Sequence, residues 1–104
     1  MGFGNMKKIM EQAKKMQQDM LKKQEELKNK TIEVTSGGGA VKMEIALDLT
    51  VQSIKIDKDV VDPEDVEMLE DLVLAAVREG IEKAKTIQEQ EMSTVTGGLG
   101  IPGL

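Results

Sequence analysis

The spacing of apolar residues toward the two ends of the chain limits its fold more than any other feature. Between residues 6 and 27 they fall at Met6, Ile9, Ala13, Met16, Met20 and Leu27, in steps of 3, 4, 3, 4 and 7. That is a heptad a/d stripe interrupted by Lys23, with Met10 and Leu21 widening it. Asn5 stands where an N-cap belongs, so the spacing predicts a helix from there to about Asn29. Further on, Asp62-Pro63 pairs an N-cap residue with a proline at the first helical position. Glu64, Asp65 and Glu67 follow in the first turn, where acids favour the positive end of the helix dipole. Val66, Leu69, Val73, Ala76, Val77, Gly80, Ile81, Ala84 and Ile87 then form a second stripe, which predicts a helix from Pro63 to about Met92. Ala76, Gly80 and Ala84 are small and four apart. They suit either a close approach of another backbone or a fit over a sheet.

Between these helices the period changes from helical to alternating. Ile32 and Val34 share one face of a first strand, which Gly37-Gly38-Gly39 ends in a turn open to positive φ. From Ala40 to Thr50, Val41, Met43, Ile45, Leu47 and Leu49 point one way. Lys42, Glu44, Asp48 and Thr50 point the other, with Ala46 among them. A third strand from about Val51 to Asp57 sets Ile54 and Ile56 together, although no Gly or Pro marks the turn before it. The reading is an α+β fold in the order α-β-β-β-α, a three-stranded antiparallel meander with one apolar face covered by helices. One domain spans residues 1–92, and the Gly-rich segment 93–104 is expected to be a flexible tail.

The lengths do not match, and this bears on assembly. A 25-residue helix is about 38 Å long and one of thirty residues about 45 Å, whereas an eight-residue strand is about 26 Å. Both helices must project past the sheet while their apolar stripes continue almost to the ends. A lone protomer would expose long hydrophobic stripes, which monomers rarely do. A symmetric homodimer is the economical solution. Met6, Ile9, Ala13, Met16, Met20, Val41, Met43, Ile45, Leu47, Ile54, Ile56, Leu69, Val73, Ala76 and Gly80 are therefore candidates for core or dimer packing.

The residue inventory argues against catalysis. The 104 residues contain no Cys, His, Trp or Tyr, and Phe3 is the only aromatic. That removes disulfides, thiolate zinc sites, thiol nucleophiles and the usual general base together. No GxGxxG, P-loop or GxSxG pattern is present. Asp57, Asp59, Asp62, Glu64 and Asp65 are dense in oxygen ligands, but EF-hand spacing and its glycine are absent, and helix capping accounts for most of them. No metal, cofactor or small-molecule substrate is expected. No apolar run reaches the length of a membrane span and no signal peptide is evident, so the expected compartment is the cytoplasm.

Charge is unevenly distributed. Residues 1–30 carry eight Lys against four acids, while the whole chain is at −5. With Met6 at heptad position a, Lys7, Lys14 and Lys28 fall at b and Lys8, Lys15 and Lys22 at c, flanking the face opposite the apolar stripe. Such a ladder can lie along phosphates. The same residues also read as an ordinary solvated helix. Glu11 with Lys15, Asp19 with Lys23 and Glu26 with Lys30 have the favourable i,i+4 order, and Glu11, Gln18 and Glu25 dilute the basic face at f.

Several segments taken together resemble a known family. They are Met6-Lys7-Lys8-Ile9-Met10-Glu11-Gln12-Ala13-Lys14-Lys15-Met16-Gln17, Gly39-Ala40-Val41-Lys42-Met43, Ile54-Lys55-Ile56-Asp57 with Val60-Val61, Glu67-Met68-Leu69-Glu70-Asp71-Leu72-Val73, and Met92-Ser93-Thr94-Val95-Thr96-Gly97-Gly98-Leu99-Gly100. In this order they are similar to the YbaB/EbfC family of bacterial nucleoid-associated proteins, over essentially the whole chain. The resemblance implies a homodimer in which two sheets join and the helices project as tweezer-like arms. It further implies duplex DNA as partner, a place in the nucleoid, and DNA contact through Lys7, Lys8, Lys14, Lys15 and Lys22, with Lys83 and Lys85 as weaker candidates. With no aromatic surface to stack single-stranded bases, duplex is the expected form. The rival reading is a protein–protein adaptor that grips a polypeptide through Met-rich arms.

Overall fold

The computed structural model describes residues 3–97. Helix α1 runs over Phe3–Asn29, followed by β1 (Thr31–Ser36), β2 (Val41–Ala46), β3 (Val51–Ile56) and helix α2 (Val66–Gly97). The sheet is an antiparallel meander in the order β1-β2-β3. The α+β reading and the element order both hold.

The boundaries differ for local reasons. Asn5 lies inside α1 rather than capping it. Asp65, not Asp62, caps α2: its Oδ1 accepts the Met68 amide at 3.2 Å. Asp62 instead closes a tight turn by accepting the Glu64 amide at 2.9 Å. At its other end α2 passes Met92 and continues to Gly97, while the rest of the Gly-rich segment, 98–104, lies outside the described residues.

Two turns set the sheet. Gly37, Gly38 and Gly39 all take positive φ, at 60°, 68° and 95°, a conformation only glycine adopts without steric cost. At Gly37 a Cβ would also meet the Leu72 side chain. Beside it, the Ser36 hydroxyl donates to the Leu72 carbonyl at 2.6 Å, pinning the end of β1 to α2. The β2–β3 turn does without glycine. Leu49 takes φ 72°, and the Asp48 carboxylate accepts the Thr50 amide at 3.0 Å. Leu49 is thus a turn residue and does not continue the apolar face of β2. The register between β2 and β3 shifts where Glu44 faces Ser53 and Ile45 faces Val51, which leaves Gln52 of β3 as the extra residue. Ile45, Ala46 and Leu47 are buried in succession at the end of β2. Ala46 keeps its regular pairing with Thr31, so its burial comes from what covers that end of the sheet and not from a change of face.

The core is wholly apolar: Leu27, Val34, Val41, Met43, Ile45, Leu47, Ala76 and Ala84, with no buried polar or charged residue among those described. The small stripe of α2 serves the sheet. A Cβ on Gly80 would collide with the Met43 methyl and come within 3.1 Å of Val34. Of the two uses open to Ala76, Gly80 and Ala84, the fit over β1 and β2 is the one realised within the protomer. Helix α2 packs on β1 and β2 and leaves β3 at the margin.

Beyond the sheet, α2 continues alongside α1. The molecule measures 76 × 25 × 16 Å with a radius of gyration of 20.5 Å, against about 13 Å for a compact chain of this length. The projecting helices inferred from element lengths are present.

Candidate nucleic-acid interface

Helix α1 divides along its length. Leu27 is buried, Met16 and Met20 are half-buried, and Met6 and Ile9 are 62% and 63% exposed. The heptad stripe therefore packs on the body and on α2 at one end and runs bare at the other, with Ala13 also exposed. Lys7, Lys8, Lys14, Lys15 and Lys22 are all exposed along this arm. Among the described residues none of these five enters an ion pair. Lys8 and Lys15 border a shallow groove floored by Glu11 and Gln12. Two helical turns, about 10.5 Å, separate the members of each lysine row.

The i,i+4 pairs that the sequence offers do not form. Lys23, an interruption of the stripe by sequence, crosses to α2 and meets Glu91 at 2.6 Å. Lys30 reaches the same carboxylate at 3.6 Å, and Glu26 holds Lys23 from its own helix at 3.5 Å. The hydrogen bond from Lys23, reinforced by both lysine charges, holds the Glu91 carboxyl below its ordinary value. The bond to Glu91 likewise raises Lys23. A polar residue at an apolar heptad position is the signal that could have found this clamp, because such a residue needs a partner across the seam.

On α2, Lys83 is exposed but tied to Glu79 at 2.9 Å, and Lys85 is exposed. Sequence reasoning left out Lys42 and Lys55, which register sets directly opposite one another on β2 and β3. They lie on the sheet face away from α2, and only the pairing register makes them neighbours.

The remaining packing candidates fall into two sets. Val41, Met43, Ile45, Leu47, Ala76 and Gly80 are buried, and Leu69 and Val73 are half-buried against them. Ile54 and Ile56 share the core-facing side of the sheet, opposite Met43 and Val41, yet stay 42% and 41% exposed because α2 packs chiefly on β1 and β2 and does not cover them. Ile56, Leu69, Val73, Leu74 and Val77 line an open apolar groove beside β3, with Glu70 at its rim.

The sequence pattern of the YbaB/EbfC DNA-binding family matches residues 1–99. The chain belongs to that family. Similar proteins include a "Nucleoid-associated protein" of Pelotomaculum thermopropionicum, 55% identical over 101 residues that cover 97% of this chain and 96% of the relative. Another of the same name, from Ruminiclostridium cellulolyticum, is 52% identical over 99% of this chain and 91% of the relative. The crystal structure of uncharacterized protein HP0035 from Helicobacter pylori superposes with a TM-score of 0.71 at 19% identity, covering 86% of this chain and 91% of that one. That likeness establishes a shared fold. Membership of the YbaB/EbfC family makes this a DNA-binding protein and not an enzyme. Among the described residues no helix is long and apolar enough to cross a membrane.

Proposed function

We propose that this YbaB/EbfC protein is nucleoid-associated and binds duplex DNA as a homodimer, chiefly through lysine–phosphate contacts from the α1 arm, and so takes part in nucleoid organisation or gene regulation. The observation that carries the reading is the set of five exposed lysines, Lys7, Lys8, Lys14, Lys15 and Lys22, on a projecting helix with no acidic partner among the described residues. Lysine is a point charge without base-reading geometry, so the contacts position the arm and carry little sequence information. Lys85 adds to this field, and Lys83 adds less because Glu79 holds it.

Dimerisation is supported by β3. It is an edge strand with an open hydrogen-bonding side, and Val51, Ile54 and Ile56 on it are exposed beside Leu74 of α2. An exposed apolar edge invites pairing with another chain, and a two-fold pairing there joins two sheets and sends the arms outward.

Fluorescence anisotropy with duplex DNA across a salt series tests the reading. Each phosphate contact contributes roughly 0.9 to the slope of log K against log salt. The variant Lys8→Gln/Lys15→Gln/Lys22→Gln, verified as folded, should bind more weakly and lose about 2–3 units of slope per arm that contacts DNA. Absence of wild-type binding at low salt would remove the DNA reading and favour the adaptor alternative, which the bare Met6, Ile9 and Met10 surface supports.

A further inference from the structure

The arm leaves one basic feature of the molecule without a use. Thr35, Lys42 and Lys55 stand in one row across β1, β2 and β3, since Thr35 pairs with Lys42 and Lys42 with Lys55. All three are exposed, on the sheet face away from α2. The Asp57 amide donates to the Ala40 carbonyl at 2.7 Å. Two residues along, the facing of Lys42 and Lys55 is therefore of the hydrogen-bonded kind, which sets their Cα atoms about 5.5 Å apart with both side chains on the same face. Like charges placed directly opposite on a sheet are destabilising. Glu33 and Glu44 lie in the adjacent row of that face, yet among the described residues neither lysine enters an ion pair. The two charges stand uncompensated at the surface, and an anion bridging their ammonium groups relieves the repulsion.

We propose that Lys42 and Lys55, with the Thr35 hydroxyl beside them, bind a backbone phosphate of duplex DNA, and that this second site lets one particle hold two duplex segments. Two ammonium groups at this spacing can donate to separate oxygens of one phosphate, and such charge-assisted bonds are the strong ones. Leu27 of α1 shares its buried cluster with Ala76 and Ala84 of α2, so both helices lie on one side of the sheet and the lysine pair faces the other. A segment held along the arm lies on the helix side, and the pair meets a different one. The Glu33 and Glu44 row repels phosphate and confines the contact to the lysine row. Both lysines belong to one protomer, so the site does not depend on how protomers associate. It rests on the reading of the α1 arm for the first segment.

Capture of a second duplex is the test. A biotinylated duplex fixed on beads and loaded with the full-length protein should retain a labelled free duplex. Lys42→Gln/Lys55→Gln should lose that capture, while anisotropy with a single duplex still shows salt-dependent binding through the arm. Because the change removes a like-charge pair, the variant should melt no lower than wild type, which separates loss of capture from loss of fold. Lys55→Gln alone should weaken capture and reduce the slope of its salt dependence by about 1 unit. Glu33→Gln/Glu44→Gln should act in the opposite direction, with capture persisting to higher salt than in wild type. Unchanged capture in that variant overturns the proposal, as does a wild type that binds one duplex and captures no second. Capture by Lys42→Gln/Lys55→Gln equal to wild type overturns it too and assigns the second duplex to another arm. Absence of any wild-type binding by anisotropy removes the arm reading first, and this proposal with it.

Discussion

At Gly80 a missing side chain sets how closely α2 can lie on the sheet. The Met43 methyl fills the space a Cβ would take, and Val34 stands just behind it. Met43 is itself fully buried, so it has little room to withdraw. Gly80→Ala improves helix propensity by nearly 1 kcal/mol, but overpacking of a tight core costs about 1–3 kcal/mol. The net expectation is a loss of stability, read as a lower urea midpoint with unchanged m-value. Met43→Ala removes the same contact from the sheet side and should cost about 2–5 kcal/mol, the usual range for emptying a core position. Ala76 and Ala84 are equally enclosed, so a larger residue at either should separate helix from sheet in the same way.

At the scale of elements, Lys23 and Lys30 tie α1 and the residue after it to Glu91 of α2, beside the apolar packing of Leu27 with Ile87 and Met92. The pH dependence follows from the two shifts. The Glu91 carboxyl is held below its ordinary 4.5, so its contribution is complete above that pH and disappears as pH falls through the lowered value. Lys23 is raised above its ordinary 10.5, so its contribution is complete below that pH and disappears as pH climbs through the raised value. Amide protection in residues 16–24 of α1 should therefore fall at acid pH and at strongly alkaline pH, with no change attributable to this clamp between. Glu91→Gln should bring the loosened state to neutral pH and flatten the acid limb. Equal acid sensitivity in that variant would place the responsible group elsewhere.

For the whole molecule, the relevant fact is how much apolar surface a single protomer leaves uncovered. Val51, Ile54, Ile56, Leu74 and Ile81 are each more than 40% exposed on or near the β3 side. An edge strand with that neighbourhood is where the proposed two-fold contact would form. Ile54→Glu/Ile56→Glu should shift sedimentation equilibrium toward the 11.4 kDa protomer while leaving the circular dichroism spectrum unchanged, because neither side chain belongs to the buried cluster. A dimer that survives this double change must use a different surface. Dissociation would also test the DNA reading, since two arms joined in one particle gain from effective concentration and single arms do not. The DNA affinity of the variant should fall without any lysine having been altered.

The sequence by itself determined the element order, the two helices, the glycine turn and most of the core. Each of these depends on periodicity or on a residue's own conformational limits, both of which are local. It also placed the lysine rows on the arm, because heptad position fixes which side of a helix a residue occupies. Only the tertiary structure decided the rest. Leu49 in a left-handed turn and an extra residue, Gln52, in β3 break the alternation that a strand pattern assumes, and Ala46 is buried although alternation points it out. Ile54 and Ile56 have the pattern of core residues, and their exposure follows from where α2 lies across the sheet. Lys23 reads as a flaw in a stripe until α2 brings Glu91 opposite it. These features depend on which residue stands beside which across long separations in the chain, and that information resides in the packing of the elements rather than in any one of them.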